Sequence, residues 1–250
     1  MRGRDLSRAW NTLLQPERFD DPGINGLQVE GDRDIRRLLF GVSACEELFT
    51  FASTNDFDGI VVHHGLFWKD GPFLPVGMMG KRLRILLEGS LSLWAYHLPL
   101  DAHREVGNNY PALRDWGAEE VAPFGDWKGA SIGACGAFLT EREPLPFGQM
   151  LSDYFNHPTI HLEGEGMVKR VGIVSGGGAS FIQEAYQMGL DALITGEAEE
   201  RSIYEARELG IHIYAMGHHA TERMGVRLLG DWTTKNHAIE CTFWDAPNPV

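Results

Sequence analysis

Apolar positions along the chain fall into two periods. Leu6, Ala9, Trp10, Leu13 and Leu14 recur at helical spacing and predict an opening amphipathic helix that ends near Gln15-Pro16. A strand-like run follows at Leu38 to Ser43, and Glu46 to Ser53 has helical character. Asp58-Gly59 predicts a turn before the apolar run Ile60-Val61-Val62, which ends in His63-His64. Leu83 to Leu87 predicts another helix, and Leu91 to Tyr96 a short strand ending at His97. Strands alternating with helices in this way predict an α/β fold built on a largely parallel, helix-covered sheet.

The same order returns further on. Val171 to Ser175 reads as a strand, Gly176-Gly177-Gly178 as a turn, Phe181 to Met188 as a helix, and Asp191 to Thr195 as a strand ending at Gly196-Glu197. Glu88 to Tyr96 matches Glu208 to Met216 in pattern, and both runs lead into histidine-bearing loops. Two related α/β halves, an internal duplication, are expected. Any two strand, helix, strand units look alike at this level, so placement is the discriminating observation. Related halves set His63-His64, His97, Glu197 and His218 at carboxyl ends of strands, where open α/β sheets hold their ligands. Ala118 to Lys128, with Pro123, Gly125 and mixed charge, is the expected boundary. It divides the chain into residues 1–125, carrying His63, His64 and Asp101, and 126–250, carrying His218 and Glu222. Ser131 to Leu139 fits a strand of either half, Ile239, Cys241 and Phe243 alternate as a closing strand, and Asp245 to Pro249 reads as a tail.

Composition narrows the partners. Twenty-two Lys and Arg against 35 Asp and Glu give a net charge of −13 over 250 residues, so an anionic partner such as nucleic acid or membrane would need a local basic patch, and none is visible. Cys45, Cys135 and Cys241 lie far apart and form no Cys-x-x-Cys pair, which argues against a disulfide framework and a thiolate zinc site. The chain is expected to be cytoplasmic, with neither a signal peptide nor a membrane-spanning run.

Candidate chemistry sits in three clusters. These are His63-His64-Gly65, His97 to His103 with Asp101 between, and Gly217-His218-His219-Ala220-Thr221-Glu222. His218 and Glu222 are four apart, on one face of a starting helix, a spacing that lets two side chains converge on one ion. Imidazole and carboxylate donors together suit zinc, iron, manganese or nickel. Three His and two carboxylates exceed one ordinary catalytic zinc, and suit a dinuclear centre if they converge. A single histidine at a strand end is ordinarily a satisfied polar residue; two His-His pairs in Gly-flanked turns with Asp101 and Glu222 close by are not readily explained so. His157, His161, His212 and His237 lack such surroundings and are expected to be structural or solvated. The Ser175 to Ser180 turn offers amides for an anion, with a tight turn as the plainer reading. No Gly-x-Ser-x-Gly elbow is present, and Cys45 has no activating neighbour in sequence.

Asp21 to Gly31, His63 to Trp68, Tyr96 to His103, Thr195-Gly196-Glu197 and Gly217 to Arg223 resemble, in order, the motifs of the Nif-three-like family, whose members are often labelled GTP cyclohydrolase I type 2 homologues. The resemblance spans nearly the whole chain, in the short bacterial form. It implies a dinuclear metal centre in a cleft between the two halves and a toroidal homohexamer. Position by position, it implies His63, His64, Asp101, His218 and Glu222 as ligands of two divalent ions, with Glu222 the bridge. It implies His97 as a partner that orients Asp101 or a bound water, and His103, Glu197 and His219 as further residues of the cleft. The reaction expected is hydrolysis of a small or nucleotide-like substrate by a metal-bound hydroxide. A non-catalytic metal-binding regulatory, scaffold or metal-delivery protein is the alternative.

Overall fold

Runs such as Leu38 to Val42 and Ile60 to Val62 are apolar at every position, which suits parallel strands covered on both faces. The computed structural model describes residues 1–71 and 73–250 and places them so. Chain order begins with α1 (Gly3–Leu14), β1 (Gly26–Val29), β2 (Arg37–Ser43), α2 (Glu46–Thr54), β3 (Gly59–His64), α3 (Gly77–Glu88), β4 (Ser92–Ala95) and α4 (Leu98–Asp101). It continues through α5 (Asn109–Asp115), β5 (Glu119–Trp127), β6 (Ala130–Arg142), α6 (Pro144–Phe155), β7 (Ile160–Leu162), β8 (Val168–Val174), α7 (Ile182–Gln187) and β9 (Ala192–Thr195). The last elements are α8 (Ser202–Leu209), β10 (His212–Ala215), α9 (His218–His237) and β11 (Glu240–Phe243). Among the described residues no helix is long and apolar enough to cross a membrane.

The chain forms two compact units, Met1–Leu100 with Gly225–Pro247, and Asp101–Met224 with Asn248–Val250. The division therefore falls at Leu100/Asp101 and inside α9, and not at 125/126. Asp101 belongs to the second unit and β11 to the first. Ala118 to Lys128, expected as a boundary, is largely β5, paired antiparallel with β6 inside the second unit. Pro123 is tolerated there because β5 is an edge strand.

In the first unit the strand order is β1-β4-β3-β2-β11, with β11, β2, β3 and β4 parallel and β1 antiparallel to β4. Leu39, Ile60, Val62 and Leu93 face one core with Leu48, Phe49 and Ala52 of α2 and Leu86 of α3. The alternate positions serve α1, whose Leu6, Trp10 and Leu14 are buried at four-residue spacing. Trp10 meets Trp94 and Tyr96 edge-on at 5.4 and 6.1 Å, and its Nε1 donates to Thr233 Oγ1 at 3.0 Å.

In the second unit the order is β5-β6-β8-β9-β10-β7, with β8, β9 and β10 parallel and the others antiparallel to their neighbours. Val171, Ile173, Ala192, Ile194 and Tyr214 pack with Phe147, Leu151 and Phe155 of α6. Four strands of each sheet follow one path: a helix, an edge strand, then three parallel strands joined by helices. Small features recur too. Asp58 Oδ2 accepts from the amides of Arg36 and Arg37 at 2.9 Å each, and Asp191 Oδ2 from those of Lys169 and Arg170 at 2.9 and 2.7 Å. Helices α1 and α6 both end on a left-handed residue, Gln15 at φ 49° and Asn156 at φ 47°.

Candidate metal centre

In the first unit β3 ends in buried His63 and half-buried His64. His63 Nδ1 lies 3.0 Å from Tyr96 O. A carbonyl only accepts, so Nδ1 carries the proton and Nε2 the lone pair. His97, just beyond β4, sets Nδ1 2.7 Å from Asp21 Oδ1, and His64 Nδ1 lies 3.0 Å from Ser43 Oγ. The His63 ring centroid is 4.7 Å from that of His64 and 4.9 Å from that of His97. Each of the three offers a ring nitrogen, and these nitrogens lie within 4.8 Å of one another. His97, expected only as an orienting partner, thus joins His63 and His64 in a group able to hold an ion.

Two side chains fix this group. Gln28 accepts from the amides of Leu66 and Phe67 at 2.8 and 3.2 Å and donates to Ile24 O at 2.6 Å, pinning the loop after His64. Gly65 is required there, since a Cβ would lie 2.6 Å from the Ala95 Cβ and against the Gln28 amide. Asp21, buried, accepts from the amides of Gly23 and Leu98, from Asn25 Nδ2 and from His97. Burial pushes its carboxyl upward, but these hydrogen bonds and the His97 charge outweigh burial and hold it below the ordinary carboxylate value.

In the second unit buried Asp101 ends α4, and its Oδ1 accepts from Asn108 Nδ2 at 2.7 Å and Ser175 Oγ at 2.8 Å. Helix α9 starts after Gly217, held at φ 86°, and its first turn brings His218 Nε2 to 3.1 Å from Glu222 Oε1. His218 Nδ1 lies 2.5 Å from Glu197 Oε1. Burial opposes a charge on His218, but the hydrogen bonds and charges of Glu222 and Glu197 outweigh it and raise the imidazole to about 9. An ion binding there therefore displaces a proton.

Gly176 explains the glycine-rich turn. At φ 64° a Cβ would sit 2.3 Å from Glu222 Oε1 and 2.9 Å from His218 Nε2, so the glycine makes room for both donors. The Gly176 and Gly178 amides bind Thr221 Oγ1 and Thr195 Oγ1 at 3.0 and 2.8 Å, which answers the turn reading for these two.

Other histidines make local contacts. His103 Nδ1 accepts from the amides of Glu105 and Val106 at 3.1 Å each and fixes its own loop. His219 is buried, and its amide donates to Val250 O at 2.9 Å. His161 and His212 form a 3.1 Å pair, with His161 stacked on Tyr214. Asn25, Gln28, Asn108, Ser175, Thr195 and Thr221 escaped the sequence reading because an isolated amide or hydroxyl carries no spacing signal. Asp21, Asn25, Gln28, Thr195 and Thr221 lay inside quoted motifs without an assigned role.

The donors present are imidazole nitrogens and carboxylate oxygens, which fit a borderline divalent ion better than calcium or magnesium. Residues 1–249 match the family Duf34/NIF3 (NGG1p interacting factor 3). A Yersinia pestis protein named GTP cyclohydrolase 1 type 2 homolog is 39% identical over 252 residues, with both chains covered completely. A Pseudomonas aeruginosa protein of the same name is 41% identical over 237 residues, covering 95% of this chain and 94% of its own. A solved structure described as protein ybgI, of unknown function, covers both chains completely at 36% identity with a TM-score of 0.93. The chain belongs to the Duf34/NIF3 family.

Proposed function

We propose that this chain is a metalloprotein that holds two divalent ions through His63, His64, Asp101, His218 and Glu222 and hydrolyses a small or nucleotide-like substrate. One observation carries the reading. His63, His64, His97 and His218 each have Nδ1 within hydrogen-bond distance of an oxygen, from Tyr96, Ser43, Asp21 and Glu197 respectively. Ligating histidines characteristically use the second ring nitrogen in this way, which orients the ring and sets its tautomer. Glu222 has two oxygens to offer and is the bridging candidate, and the hydrogen bonds from Asn108 and Ser175 hold Asp101 in one orientation.

When bound, such ions supply an activated water and a Lewis acid for hydrolysis. The chain's own residues orient the site: Asp21 fixes His97 beside His63 and His64, Glu197 fixes His218, and Gln28 fixes the His63-His64 loop. The name of the curated relatives directs the substrate search towards nucleotides. A cytoplasmic homo-oligomer, a ring of six, is part of the same proposal.

The test is an unbiased metabolite screen with metal-loaded protein against His63→Ala. Turnover that disappears in the variant is the expected result. A chain that binds metal and turns over nothing would favour the non-catalytic metal-binding role.

A further inference from the structure

The segment Asn248–Val250 belongs to the second unit and lies against the loop that carries His218. Val250 O accepts from the His219 amide at 2.9 Å. That amide is one of the donors at the start of α9 that no earlier carbonyl of the helix can reach, so Val250 supplies a cap. Pro249 O lies 3.2 Å from His157 Nε2, and His157 Nδ1 is 2.8 Å from Pro158 O. The His157 ring covers Gly217 so closely that a Cβ there would meet Nε2, Cδ2 and Cε1 at 2.8 to 2.9 Å. Ser152 anchors His157 from behind, its Oγ donating to His157 O at 2.8 Å and its carbonyl accepting from the His157 amide at 3.1 Å. Asn248 Oδ1 accepts from the Val250 amide at 3.0 Å and folds the end back on itself.

These contacts surround the turn on which His218 depends. Gly217 sits at φ 86°, and the first turn of α9 sets the His218 to Glu222 distance. A helix start whose amide is uncapped frays, and fraying would move His218 before any residue further along.

We propose that Asn248–Val250 and His157 form a strap that positions His218 for metal. The strap touches neither donor atom; it acts through Gly217 and His219. This inference rests on the metal reading above.

The test compares the full chain, a chain ending at Pro247, and full-length His157→Ala, each loaded with zinc and competed against a chelator of known affinity. Cobalt substitution adds a spectrum that reports ligand geometry. Both altered chains are expected to hold the ion at His218 about tenfold more weakly, the scale seen when supports of metal ligands are removed. Their cobalt spectra should change, the His219 amide of the metal-free truncated chain should exchange faster, and unfolding midpoints should move little. Unchanged competition and spectra in both altered chains, with zinc bound by the full chain, overturn the strap and leave the metal reading standing. A full chain that binds no zinc or cobalt overturns the metal reading and the strap with it.

Discussion

Asp21→Asn keeps the size of the side chain and removes the charge that four donors share. Its oxygens receive the amides of Gly23 and Leu98, Asn25 Nδ2 and His97 Nδ1. An amide in its place turns a donor toward donors, and the expected destabilisation is about 2 to 4 kcal/mol by chemical denaturation. The loss is pH-dependent. The folded carboxyl titrates below the ordinary value, so its contribution is complete above that value and disappears as pH falls through the native one. Midpoints of wild type and variant should therefore converge in acid; a constant gap would contradict this account of Asp21. Gly176→Ala tests the other unit. Its Cβ would collide with Glu222 and His218 at a backbone angle that disfavours any side chain, so metal content should fall and stability drop by about 1 to 2 kcal/mol. At this scale the histidines were legible because their pairs follow apolar runs. Their anchors were not, since Ser43, Asp21 and the Tyr96 carbonyl come near the rings only once the sheet has formed.

Elements were legible in proportion to how apolar their buried faces are. Helix α1 closes where Gln15-Pro16 predicted, and β2, β3, β4, β8 and β9 follow their apolar runs. The expected helix Phe181 to Met188 instead begins as a 3-10 turn, Ala179–Phe181, before α7. Strand β5 hid because it is an edge strand with mostly exposed or half-buried side chains, which leaves no alternation to read. The three-residue β7 and four-residue β1 are too short for periodicity to show. Trp10 carries the most testable element contact: Trp10→Ala removes the edge-on packing against Trp94 and Tyr96 and leaves Thr233 without its indole donor. A loss of about 3 to 5 kcal/mol is expected by denaturant titration. A value below about 1 kcal/mol, the size of a surface effect, would show that α1 is not a core helix.

Over the whole molecule the chain builds two sheets whose four matching strands share one path, and repeats the aspartate cap at Asp58 and Asp191. This recurrence parallels the repeated order of elements in the sequence. The unit boundaries were not legible, because the second crossing lies within the continuous helix α9, where no composition change marks it. The net charge of −13 also takes on a more local meaning: Asp101 and Glu222 are buried acids with roles, while most of the remaining acids are solvent-facing. Two ions per chain are what the proposed ligand set is built to carry. Elemental analysis of the purified protein after metal-supplemented expression tests it most directly, with Glu222→Ala alongside and circular dichroism to verify folding. About two divalent ions per wild-type chain are expected, and their loss from a folded Glu222→Ala. One ion or none in the wild type, or full metal content in the variant, would contradict that expectation.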